Sequence, residues 1–102
     1  MVFLFENFEL DVDRRELRRG GLVKSLEPRV FDLLVHLVRN RERVVSRDEL
    51  IASVWDGRIV SESALASSIN AARVAIADSG DEQRLIKTLP RKGVRFVGSV
   101  RE

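Results

Sequence analysis

The spacing of the hydrophobic residues changes twice along this chain, and that double change restricts the folds open to it. Near the start, Phe3 and Phe5 alternate with Leu4, and Phe8 and Leu10 alternate with Glu9 and Asp11, the period of a half-buried strand. Asp13-Arg14-Arg15 reads as a turn and Glu16 to Arg19 as another strand. Gly20-Gly21 supplies a hairpin turn before Leu22 to Ser25 returns, so residues 1–25 predict a small antiparallel sheet. From Pro28 the apolar residues recur at helical spacing. From Leu85 to Leu89 and from Val94 to Val97 the strand-like pattern comes back, around a Pro90-Arg91-Lys92-Gly93 hairpin tip within residues 84–98. Strands, helices and a terminal hairpin in 102 residues predict one α+β domain with a single core.

Three helices fill the middle. The first is expected over residues 27–41. Pro28 suits the first helical position, where its missing N–H costs nothing, and Val30, Phe31, Leu33, Leu34, Leu37 and Val38 form a broad apolar stripe. His36, the only histidine, falls on the opposite face and is expected toward solvent. The second helix is expected over 46–56. Ser46-Arg47-Asp48-Glu49 is a capping box, in which the serine takes the Glu49 N–H and the glutamate reaches back to the Ser46 N–H. Leu50, Ile51 and Val54 form its buried side, with Trp55 at the edge. The third, over 61–79, has Ser61 as N-cap and a Val60–Leu65 staple. It buries Leu65, Ile69, Ala72 and Ile76, and Gly80 is expected as its terminator.

Composition excludes several function classes. Without cysteine there is no disulfide scaffold, zinc knuckle or thiol nucleophile, which suits a cytoplasmic setting. One isolated histidine and the adjacent pairs Asp48-Glu49 and Asp81-Glu82 make no converging catalytic or metal-binding set. No enzyme activity, metal or cofactor is expected. No run approaches the roughly 18 apolar residues of a membrane span, and Met1 to Glu6 lacks the basic start of a secretory signal.

The net charge is only +2, but its placement is uneven. Arg84, Lys87, Arg91, Lys92, Arg95 and Arg101 follow one another with no acid between them. Such a strip attracts a polyphosphate backbone; it also serves simply to keep a hairpin soluble. Two helices joined by a short loop and followed by a hairpin make the layout of a winged helix-turn-helix. There the third helix enters the DNA major groove and the wing reaches the neighbouring backbone or minor groove. Opposite the buried stripe, the third helix carries Ser63, Ser67, Asn70 and Val74, flanked by Ala66, Ala71 and Arg73. Asn70 can bond adenine N6 and N7, serines can bond base edges or phosphates, and Ala66 or Ala71 can touch a thymine methyl.

Four stretches, in order, carry a family resemblance: Leu26-Glu27-Pro28-Arg29-Val30-Phe31-Asp32-Leu33-Leu34, Val44-Val45-Ser46-Arg47-Asp48-Glu49-Leu50, Val54-Trp55, and Ile86-Lys87-Thr88-Leu89-Pro90-Arg91-Lys92-Gly93-Val94-Arg95-Phe96. Together they resemble the OmpR/PhoB-type winged-helix DNA-binding domain of bacterial transcription regulators, over nearly the whole chain. The resemblance implies a four-stranded N-terminal sheet, three helices and a C-terminal wing. It also implies that this is one domain of a longer regulator, of the kind with the DNA-binding domain first.

The resemblance implies contacts to double-stranded DNA by Ser46, Arg47, Trp55, Ser63, Ser67, Asn70, Ala71, Arg73, Val74, Thr88, Arg91, Lys92 and Arg95. Relatives often hold arginines at the positions of Asn70 and Ala71, so phosphate anchoring here leans on the wing. Arg73 either binds phosphate or sits in a structural ion pair, and Trp55 either reaches the backbone or packs at the core edge. Glu27 stands where relatives have a threonine N-cap, so that cap is expected to be lost. The 56–60 loop is implied as a contact for RNA polymerase. The free domain is expected to be a monomer, its apolar residues consumed by one core, with two copies pairing on tandem DNA sites. A protein-interaction module that has kept the core and lost DNA binding is the rival reading.

Overall fold

In the computed structural model, which describes residues 1–102, the alternation near the start becomes a four-stranded antiparallel meander. Its strands are β1 (Val2–Phe5), β2 (Phe8–Asp11), β3 (Glu16–Arg19) and β4 (Leu22–Lys24). Phe5 pairs with Phe8, Phe3 with Leu10, and Leu10 with Leu17. One face of the sheet therefore collects these five side chains, and all five are buried. Gly20 and Gly21 close the last hairpin at φ 56° and 83°, the two positive values that a two-residue type I′ turn requires.

The helices are α1 (Pro28–Arg39), α2 (Arg47–Val54) and α3 (Glu62–Ala75). The centre of the core is α1, whose Leu33, Leu34, Leu37 and Val38 are fully buried, and which packs against α2, α3 and the wing. Pro28 begins α1, and Glu27 makes no side-chain cap. Ser46 and Ser61 do cap, accepting the N–H of Glu49 and of Ala64, each at 3.1 Å. The C-terminal hairpin is β5 (Ile86–Leu89) and β6 (Gly93–Phe96). Phe96 meets the Phe5 ring edge-on at 5.1 Å, which seats the base of the wing on the N-terminal sheet. Val45, in the extended piece before α2, exchanges two backbone hydrogen bonds with Val94 at 2.8 and 3.0 Å.

Four expectations are corrected. α3 stops at Ala75, well short of Gly80. Ala77 takes the left-handed conformation at φ 59°. Its N–H donates to the Val74 carbonyl and that of Asp78 to the Arg73 carbonyl, a Schellman ending. The reason lies downstream. The Asp78 carboxylate accepts the N–H groups of Arg84, Leu85 and Ile86 at 2.7–2.9 Å, so the chain turns toward β5.

His36 does not face open solvent. Its Nε2 lies 2.7 Å from Glu49 Oε2, because α2 packs across that side of α1. The same carboxylate takes two hydrogen bonds from Arg43, at 2.7 and 2.8 Å, and so leaves the Ser46 N–H. The capping box is therefore half made. Finally, one core does not consume every apolar residue. Leu22, Val23, Val74 and Val97 remain exposed, and Ile59 is wholly so.

Candidate nucleic-acid interface

At 100° per residue, burial of Leu65, Ala72 and Ile76 turns Ser63, Ser67, Asn70 and Val74 outward. All four are exposed, as are Ala66 and Ala71 beside them. Between Glu62 and Arg73 the helix has no charged side chain and none larger than leucine or isoleucine, and those two large ones point inward. The outer surface is thus low, with one amide at its middle.

At the start of α2, Arg47 reaches Glu62 of α3 at 2.5 Å and approaches its neighbour Asp48 at 3.9 Å. The pair links the first turns of α2 and α3. Trp55 is the C-cap of α2, and its half-buried ring packs against the core.

The wing sorts its side chains by strand parity. Ile86, Val94 and Phe96 are buried, so their alternating neighbours Lys87 and Arg95, paired directly across the hairpin, face out. Arg91 and Lys92 stand exposed at the tip, where Arg91 adopts φ 66°. Lys87, Arg91 and Lys92 have no acidic partner within ion-pair distance, and Arg95 uses only Nε, donating to the Arg41 carbonyl at 2.9 Å. Like charges directly opposite each other destabilise a hairpin, so Lys87 and Arg95 give this face an uncompensated positive charge. Lys87, which sequence reasoning did not single out, shares this outward face by its parity with Arg95. Gly93, at φ 143°, lets the wing approach Val45: a Cβ there would lie 2.0 Å from the Val45 carbonyl oxygen.

Arg73 is set apart from the other contact candidates, and Thr88, exposed on β5, is its partner. Arg73 is only 7% exposed. Its Nε donates to the Ile86 carbonyl at 3.0 Å and its Nη2 to the Thr88 hydroxyl at 2.7 Å. Burial lowers its pKa, against the opposing field of Asp78, but an arginine stays charged. Arg73 makes no direct ion pair here, since its hydrogen-bond partners are a carbonyl and a hydroxyl. Asp78 is a buried acid that sequence reasoning missed. Burial would raise its pKa, yet the N–H groups of Ile86, Leu85 and Arg84 prevail and hold it below the ordinary aspartate value.

Between α2 and α3, Asp56 and Gly57 turn at φ 53° and 74°, and the following Arg58 and Ile59 project from the loop.

The fold recurs in known proteins. The family described as "Transcriptional regulatory protein, C terminal" matches residues 21–96. The transcriptional activator CadC of Escherichia coli (strain K12) is 35% identical over 83 residues, 80% of this chain and 16% of CadC. The transcriptional regulator HilA of Salmonella typhi is 33% identical over 94 residues, 92% of this chain and 17% of HilA. The chain thus spans about one sixth of the length of either relative. The solved DNA-binding domain of Escherichia coli CadC superposes with a TM-score of 0.82 at 31% identity, covering 97% of this chain and 94% of that one. The RstA DNA-binding domain of Klebsiella pneumoniae, solved with its RstA box, shares the fold at a TM-score of 0.82 and 24% identity, over 94% and 96% of the two chains. The chain belongs to the OmpR/PhoB-type winged-helix DNA-binding domains of transcriptional regulatory proteins.

Proposed function

We propose that this domain reads double-stranded DNA by placing the outer face of α3 in the major groove while the wing holds the adjacent backbone or minor groove. The observation that carries this is the pairing of two surfaces: a low, uncharged helix face beside a hairpin whose outward cations lack acidic partners. Asn70 presents one donor and one acceptor, the pattern adenine offers in the major groove. Ser63 and Ser67 bond base edges or phosphates, and Ala71 and Val74 meet thymine methyls. Lys87, Arg91, Lys92 and Arg95 neutralise phosphates and carry no base code. At the start of α2, Ser46 and Arg47 meet a phosphate beside the helix N-terminus, with that phosphate displacing Glu62 from Arg47. Trp55 lines the same edge.

In the whole protein, this domain serves as the DNA-binding part of a longer cytoplasmic transcription regulator. The 56–60 loop, with Arg58 and Ile59 projecting, is the surface offered to RNA polymerase, and two copies occupy tandem sites. CadC and HilA, both transcriptional regulators by name, support this reading. Selection from a random duplex pool tests it. The expected result is enrichment of one short motif. A pool that stays random after repeated rounds would contradict it and favour a protein-interaction module.

A further inference from the structure

We propose that the Arg73–Thr88 hydrogen bond is a positioning device that sets the wing at a fixed distance and angle from the recognition helix, so that base reading and phosphate anchoring operate as one unit. This rests on the DNA-binding reading above and gives Arg73 and Thr88 a role in placing the wing, separate from any contact of their own. Arg73 belongs to the last turn of α3, one turn beyond the Asn70 level. Its guanidinium spans to β5 and grips it at two points, the Ile86 carbonyl and the Thr88 hydroxyl. By register those two residues share one side of the strand, Ile86 buried at its base and Thr88 exposed farther along, with Lys87 between them on the other side.

A second clamp acts from the same helix end. The buried Asp78 carboxylate holds the N–H groups of Leu85 and Ile86, each at 2.9 Å. The Gln83 side chain takes the Thr88 N–H at 2.8 Å and gives its own N–H to the Gly80 carbonyl at 2.9 Å. β5 is therefore tied along its length to the segment that ends α3. The other side of the wing is tied to the start of α2 through Val45 and Val94. Arg73 is the one member of this set that belongs to α3 itself. It links the face that reads bases to the hairpin that carries Arg91 and Lys92.

The chemistry favours a fixed geometry. A planar guanidinium with two acceptors in different directions has one orientation, whereas the point-like ammonium of a lysine, on a flexible stem, fixes none. A buried, charged donor left without its acceptor is costly, so the wing has no second resting place of similar energy.

A double-mutant cycle read by duplex binding is the test, with the selected motif as ligand. Thr88→Val removes the acceptor and keeps the shape, and Arg73→Lys alters the other partner. Thr88→Ser, which keeps the hydroxyl, is expected to bind like the wild type. Thr88→Val is expected to weaken binding roughly tenfold. In a background lacking the two tip cations (Arg91→Ala with Lys92→Ala), its effect is expected to shrink clearly, because the misplaced wing then has only Lys87 and Arg95 left to lose. Arg73→Lys is expected to behave in the same way, which keeps the test decisive if either variant folds poorly by circular dichroism. Full additivity with the wing variant would overturn the inference, since it would mean that Thr88 or Arg73 acts independently of the wing. Wild-type affinity in both Thr88→Val and Arg73→Lys would also overturn it. If the wing variant itself binds as tightly as the wild type, the reading of the wing as a DNA contact fails, and the inference with it. If the wing matters and Thr88 does not, the inference alone fails.

Discussion

At the residue scale, Asn70 and Arg73 are three positions apart on one helix and have opposite fates. The outward position of Asn70 follows from the buried repeat alone, because Leu65, Ala72 and Ile76 fix the rotation of the helix. Asn70→Ala is expected to fold normally, since alanine is the better helix former. It should lose about 1–3 kcal/mol of discrimination at one base pair, measured by competition among single-position duplex variants. Arg73 was harder to place. It flanks the outer face by angle, and only the approach of β5 pulls it inward. Half of that signal was legible: the period of two puts Thr88 on the same side of β5 as the buried Ile86, although Thr88 itself stays exposed. The Glu49 cluster was not legible, because His36, Arg43 and Glu49 meet only when α2 folds across α1. Its hydrogen bonds from Arg43 outweigh burial and, helped by His36, hold the Glu49 pKa down to about 2 from the ordinary 4.5. A depressed carboxylate pKa contributes stability that is fully present above the unfolded value and is lost as pH falls toward the folded one. The thermal midpoint of the wild type should therefore drop between pH 4.5 and 2, and Glu49→Gln should flatten that drop while lowering the midpoint at neutral pH.

At the scale of elements, all six strands and three helices correspond to patterns in the sequence, and the errors concentrate at helix ends. α3 is the clearest case. Gly80 is a good terminator by type, yet Ala77 takes the left-handed position because Asp78 must face the N–H groups of β5. Such a stop is decided by a partner strand distant in sequence, so local propensity cannot give it. The wing depends on another non-local contact. Gly93 is needed for the close passage past Val45 as well as for its positive φ. Gly93→Ala is expected to destabilise the domain by roughly 1–3 kcal/mol and to shift the wing. Chemical denaturation should show the first effect, and loss of the Val45 and Val94 amide protection in hydrogen exchange the second. A variant with wild-type stability and protection would mean that the contact is not tight.

At the scale of the molecule, the four-stranded sheet and the wing share one core through Phe5, Phe8 and Phe96, so the wing is seated on the N-terminal sheet. The exposed apolar residues are scattered, and Leu22 and Val23 of the short β4 are the only adjacent pair among them. Scattered exposure of this kind is ordinary for a monomer. Sedimentation of the free domain at micromolar concentration should give a single species of about 11.6 kDa, and a tight dimer would contradict this. The central claim is that a charged wing and an uncharged reading helix divide the work of holding and recognising a duplex. The salt dependence of binding to a random-sequence duplex measures the first half of that division directly. With phosphate contacts from Arg47, Lys87, Arg91, Lys92 and Arg95, log K should fall linearly with log salt with a slope of about −3 to −5. Replacing Arg91 and Lys92 by alanine should flatten the slope by about 2 units, while Asn70→Ala should leave it unchanged. A slope near zero for the wild type, or one that ignores the wing variant, would contradict that division.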